Sequence, residues 1–157
     1  MRIRDILQEK GTEVVTIGAT QTIHDAIGEL NKHGIGALIV TAKGEEIVGI
    51  ITERDILREC GNRCNRLNES PTPEESACPS LVQNGMTKNL VIGLLDDDLN
   101  YAMGVMTKNR IRHLPILDDG KLAGIISIGD LVKTHFEENV FESRTLKNYI
   151  LGWGHPH

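Results

Sequence analysis

Gly124-Ile125-Ile126-Ser127-Ile128-Gly129-Asp130 reads almost the same as an earlier stretch, Gly49-Ile50-Ile51-Thr52-Glu53-Arg54-Asp55. Each copy has a Gly, two Ile, a hydroxyl residue, two variable positions and an Asp, and an apolar pair follows (Ile56-Leu57; Leu131-Val132). This is the pattern of a buried strand running into a helix. The hydroxyl and the carboxylate lie three residues apart at the junction, as in a capping box.

The echo extends outward at a near-constant offset. Ala26 and Ala102, like Gly44 and Gly120, are 76 apart, whereas Gly49 and Gly124, like Asp55 and Asp130, are 75 apart. One extra residue therefore sits in the first hairpin turn. In the first copy, Val14-Val15-Thr16-Ile17 predicts a short strand. Thr22-Ile23-His24-Asp25 predicts a capped helix ending at His33-Gly34, with the Gly as C-cap. Ala37–Val40 and Ile47–Ile51, joined by the turn Lys43-Gly44-Glu45-Glu46, predict a buried hairpin, and a helix follows from Glu53 to Cys60. The order is β-α-β-β-α. The second copy repeats it with Leu90–Ile92, a helix capped by Asp98, strands His113–Leu117 and Leu122–Ile126 around Asp118-Asp119-Gly120, and a last helix. That helix is expected to run on through Phe136, Val140, Phe141, Leu146, Tyr149 and Ile150, giving it an apolar surface for a partner or for its own body. Met103 and Met106 read as core fillers.

The expected division is 1–60 for the first repeat, 61–80 for a linker, 81–135 for the second repeat and 136–157 for a helical extension and tail. The linker stands out as a shift to Asn, Arg, Pro, Glu and Ser, including Ser70-Pro71-Thr72-Pro73.

Composition removes several function classes. With 39% apolar and only 3% aromatic residues, the core of this 157-residue chain must be aliphatic. A net charge of −5 disfavours a nucleic-acid backbone as partner. No segment approaches the roughly 20 apolar residues of a membrane span, and the expectation is a cytoplasmic protein without a membrane partner. Cys60, Cys64 and Cys78 are odd in number and close together, which speaks against a secreted disulfide framework. A thiol or metal switch built on them lacks a second pair to complete a tetrahedral site, so no metal is expected, and His155 and His157 read as tail. There is no P-loop, no His-Glu-x-x-His, no third Gly after Gly34-Ile35-Gly36 and no Gly-x-Ser-x-Gly elbow, so nothing points to an enzyme.

The paired Gly-Ile-Ile-[Ser/Thr]-x-x-Asp segments, the run Arg110-Ile111-Arg112-His113-Leu114-Pro115-Ile116 and Gly85-Met86-Thr87 resemble the cystathionine-β-synthase-type (CBS) domain family, specifically a stand-alone tandem pair, or Bateman module. The resemblance implies an α/β (α+β) fold of two β-α-β-β-α repeats related by pseudo-two-fold symmetry. It also implies a homodimer and a regulatory function: a non-catalytic sensor that binds an adenosine-type nucleotide between its repeats and passes its occupancy to a regulated protein. The ligand class is AMP, ADP or ATP, with NAD and S-adenosylmethionine as further members. A nucleotide needs an apolar slot for adenine, an acceptor for ribose and donors for phosphate, and a helix start can supply the last two. By resemblance, Asp55 and Asp130 hold ribose while Thr52 and Ser127 lie near phosphate. Arg112 and His113 are assigned by resemblance to phosphate at the second site, and Thr87 occupies another position where the family often touches ligand. The first repeat has Gly36 and Ala37 where the second has Arg112 and His113, so Arg54 is its only candidate cation, and the two sites are expected to differ. The plainer alternatives are that the [Ser/Thr]-x-x-Asp pairs are only caps, that Arg112 is a solvated edge cation, and that His113 is a packed, hydrogen-bonded histidine. The rival function is a ligand-independent dimerisation or interaction module using the last helix.

Overall fold

The structure, a computed structural model, describes residues 1–67 and 79–152. The hairpins form where the apolar runs are longest. β2 (Ala37–Thr41) pairs antiparallel with β3 (Ile47–Thr52), in the register Leu38 to Ile51 and Ala37 to Thr52. β1 (Thr16–Gly18) lies parallel to β2, giving the order β1-β2-β3. A parallel neighbour requires a crossover, and α2 (Ile23–His33) provides it. That helix is capped as its sequence predicts. The Asp25 backbone N–H donates to Thr22 Oγ1 at 3.1 Å, and the Thr22 N–H donates to Asp25 Oδ2 at 3.0 Å. Gly34 closes the helix at φ 61°, a left-handed conformation that glycine takes without a Cβ clash.

The second sheet repeats this arrangement, with β4 (Gly93–Leu94), β5 (His113–Asp118) and β6 (Lys121–Ser127) in the order β4-β5-β6. Its crossover helix is α5 (Leu99–Asn109), capped by Asp98, whose Oδ1 accepts from the Asn100 N–H at 2.8 Å. β4 begins at Gly93 and not in the Leu90–Ile92 run. A Cβ at Gly93 would come within 2.9 Å of Ile116 and Leu114, so the side chains of β5 fill the space that Ile17 occupies in the first repeat. β1 is shifted in the same direction, starting at Thr16 and not at Val14. After β3, α3 (Glu53–Leu67) continues past Gly61 into the segment expected to be linker. The Pro-rich remainder, with Cys78, lies outside the described residues, as does the His155/His157 tail, whereas Cys60 is half-buried on α3; the three-cysteine and tail-histidine readings therefore extend beyond the described residues.

The compact units do not coincide with the sequence repeats. One consists of Met1–Thr12 with Val91–His157, the other of Glu13–Leu90. The reason lies in α1 (Ile3–Lys10), whose Ile3, Ile6 and Leu7 form one apolar stripe. That stripe is buried with Leu99, Met106, Leu114, Ile116, Ile126 and Leu131, in the core of the second repeat. Conversely α4 (Val82–Gly85), with Met86, packs on the first-repeat core of Ile17, Ile23, Leu30, Leu38, Val40 and Ile51. Each repeat's sheet is thus covered by the segment that precedes the other repeat in sequence. The boundaries 1–60 and 81–135 follow the echo in sequence, whereas burial assigns α1 and residues 81–90 the other way. Met106 is fully buried and Met103 packs against the same core, as fillers.

Candidate functional site

The Gly of each motif is a contact position. A Cβ on Gly124 would meet Leu7 Cδ2 at 2.8 Å, and one on Gly49 would meet the Thr87 carbonyl oxygen at 2.7 Å and Met86 Sδ at 2.8 Å. The missing side chain lets the incoming segment lie flat on the strand. What that segment carries then arrives beside the Asp at the following helix start, and the two repeats receive different groups.

In the first repeat the segment delivers a hydroxyl. Ile50 and Thr87 exchange backbone hydrogen bonds at 3.0 and 2.8 Å, which fixes Thr87 against β3. Its Oγ1 donates to Asp55 Oδ1 at 3.2 Å. The other oxygen, Asp55 Oδ2, accepts from the Thr52 N–H at 3.0 Å and lies 3.1 Å from Thr52 Oγ1. Both carboxylate oxygens are engaged by the protein, and Asp55 is only 7% exposed. Thr87 therefore stands beside Asp55: a residue that precedes a repeat in sequence is placed on the other repeat's sheet.

In the second repeat the segment delivers a cation. Lys10, at the end of α1, donates from Nζ to Asp130 Oδ2 at 2.5 Å and to the Ile125 carbonyl at 2.9 Å. The Ser127 N–H donates to the same Oδ2 at 2.8 Å, and the Asp130 N–H donates back to Ser127 Oγ at 3.1 Å. Among the described residues no hydrogen bond reaches Asp130 Oδ1, and the side chain is 27% exposed. Partial burial pushes the Asp130 carboxyl up, but the Lys10 and Ser127 hydrogen bonds outweigh it and hold the group below its ordinary value of 3.8. The carboxylate stays ionised, with one oxygen open.

Two further candidates meet this helix start, that of α6 (Ile128–Gly152). The Ile128 N–H donates to the Arg112 carbonyl at 2.8 Å, and His113 pairs with Ser127 across the β5–β6 ladder. The first repeat mirrors this with the Glu53 N–H on the Gly36 carbonyl at 3.1 Å and Ala37 opposite Thr52. The Arg112 side chain is exposed, and His113 is half-buried and engaged in its own contacts. Arg54, exposed on the first turn of α3, also has a partner of its own. Lys10, Arg112, His113, Ser127 and Asp130 thus assemble at one helix start, and Thr52, Asp55 and Thr87 at the other. Lys10 is the member that sequence reasoning misses. It lies 120 positions from Asp130, and no local motif marks it.

Among the described residues no group of three or more His, Cys, Asp or Glu side chains could hold a metal, and no helix is long and apolar enough to cross a membrane.

Two three-stranded sheets, each leading into a helix opened by a hydroxyl and a carboxylate, define a tandem-repeat α/β module. The chain belongs to the CBS domain family, whose model matches residues 3–62 and 81–137. Among solved structures it is similar to the CBS-domain containing protein ATU1752 from Agrobacterium tumefaciens, at 36% identity and a TM-score of 0.75 over 85% of this chain and 92% of that one. It is also similar to the CBS domain protein PAE2072 from Pyrobaculum aerophilum, solved in complex with AMP, at 25% identity and a TM-score of 0.67 over 83% and 89%. In sequence it is 30% identical to the mitochondrial CBS domain-containing protein CBSX3 of Arabidopsis thaliana over 161 residues, 96% of this chain and 72% of that protein.

Proposed function

We propose that this chain is a non-catalytic sensor that binds an adenosine-type nucleotide at the start of α6 and transmits its occupancy to a partner. The observation that carries this is the state of Asp130: an ionised carboxylate, fixed through Oδ2 by Lys10 and Ser127, with Oδ1 open. Such a group accepts hydrogen bonds from ribose hydroxyls without first surrendering a protein partner. Ser127 Oγ, Arg112 and His113 lie beside it as donors and charge for a phosphate. Lys10 has two roles here, keeping Asp130 charged and adding a positive field for an anionic ligand.

The same criteria rank the two helix starts. Asp55 has both oxygens occupied and is buried, so ribose binding there must displace the Thr87 hydroxyl, a competition that costs part of what the new bonds supply. The second repeat is therefore the primary site, with the Asp55 start secondary. AMP is the first ligand to test, given the AMP complex of the similar Pyrobaculum protein. ADP, ATP, NAD and S-adenosylmethionine complete the panel. Isothermal titration calorimetry on the full chain should give saturable binding of at least one member, and heats no larger than dilution for all five would overturn the proposal. No resident cofactor or metal is needed for this function.

A further inference from the structure

The repeat ends near the middle of α6, but the helix continues to Gly152, and among the described residues its outer half stands uncovered: residues 141–150 are all exposed. Phe136 and Phe141 are 67% and 72% exposed, and Leu146 and Ile150 are similarly bare. A helical extension with this much uncovered apolar surface gains most of its stability from packing and not from propensity.

One concavity of about 270 Å³ lies on this helix, lined by Phe136, Glu137, Val140, Phe141 and Arg144. Positions 136, 140 and 144 are one turn apart, as are 137 and 141, so the five form a single face. The face has apolar groups through its middle, an acid on its N-terminal side and a base on its C-terminal side. A two-fold axis passing between residues 140 and 141 maps Glu137 onto Arg144 and Val140 onto Phe141. A second copy laid antiparallel on this face would place each Glu137 against Arg144 of the other copy and bury both Phe141 rings beside Val140.

We infer that this face of α6 is a self-association surface, on which the extension helices of two copies pair antiparallel about that axis. A parallel, in-register pair would stack Glu137 on Glu137 and Arg144 on Arg144, so charge selects the antiparallel arrangement. The rest of the extension agrees, with Glu137, Glu138 and Glu142 preceding Arg144 and Lys147. Among the described residues, Glu137 pairs with Lys133, at 3.9 Å and largely exposed, so its exchange for a partner guanidinium costs little. The inference does not rest on nucleotide binding: it uses no residue of the Asp130 site.

Cysteine cross-linking tests the register. In full-length chains with Cys60, Cys64 and Cys78 replaced by Ser, Glu137→Cys and Arg144→Cys are introduced singly. Oxidation of the mixed pair should give a covalent heterodimer, while neither variant alone cross-links. Self-linking of the Glu137→Cys chain, or no linking in the mixture, would overturn the inference. Where the Ser background fails to fold, charge reversal in the natural chain decides by sedimentation. Glu137→Arg and Arg144→Glu should each weaken self-association about tenfold, and the double variant should restore it. Equal association in all four chains rejects the pairing.

Discussion

The ammonium of Lys10, on the first helix, stands 2.5 Å from the carboxylate of Asp130, on the last one. The corresponding carboxylate of the other repeat, Asp55, meets the hydroxyl of Thr87 instead. This difference decides which helix start keeps an open, charged acceptor. Replacing Lys10 by Met removes the charge and leaves the aliphatic stem. AMP affinity should fall roughly three- to tenfold, and stability by no more than about 1 kcal/mol, because the pair is partly exposed. Calorimetry and urea unfolding separate the two effects.

Arg112 is assigned to phosphate, and a phosphate contact is tested by removing the phosphate. Arg112→Ala should weaken AMP binding about three- to tenfold and leave adenosine binding unchanged. An equal loss for both ligands would place Arg112 elsewhere. Its side chain is exposed, so the melting temperature should not move.

The two motif glycines should differ in their tolerance of a methyl group. At Gly49 the obstacle is the backbone oxygen of Thr87, itself tied to Ile50, whereas at Gly124 it is the far end of the Leu7 side chain. Gly49→Ala should cost about 1–3 kcal/mol, and Gly124→Ala less, since Leu7 can rotate away. Chemical denaturation of the two variants gives the comparison.

The Asp130 carboxyl titrates below 3.8 in the folded chain because Lys10 and Ser127 hold its charged form against the opposing effect of burial. A depressed carboxyl contributes stability that is present above its unfolded value and lost as pH falls through the folded one. The stability difference between the natural chain and Asp130→Asn should therefore be flat above roughly pH 5 and shrink below about pH 4. Thermal melts from neutral to acid pH show whether it does.

Much of the fold was legible because it is written twice. The hairpins Ala37–Thr52 and His113–Ser127, the Thr22/Asp25 cap and the Gly34 stop all follow from local patterns. Local patterns carry no information on which sheet an amphipathic segment will cover. The stripe Ile3, Ile6 and Leu7 reads as a helix with one apolar face, but its burial against Leu114 and Ile126 is a tertiary fact. Lys10 and Thr87 ride on such segments, so Lys10 was missed and the contact of Thr87 with Asp55 was not foreseen. The late start of β4 has a similar cause, because Gly93 is set by the bulk of Leu114 and Ile116 across the sheet. The helix-start residues Thr52, Asp55, Ser127 and Asp130 were visible because a hydroxyl three residues before a carboxylate is a local capping pattern.

The most direct test is calorimetric titration of AMP into the natural chain, Asp130→Ala and Asp55→Ala, with the unfolding free energy of each measured alongside. Asp130→Ala should lose about 1–3 kcal/mol of binding free energy with little loss of stability. Asp55→Ala, which strips a buried cap and releases Thr87, should lose about 1–3 kcal/mol of stability while the strongest binding event persists. Unchanged AMP affinity in Asp130→Ala, with binding abolished in a still-folded Asp55→Ala, would contradict the assignment of the primary site to the start of α6.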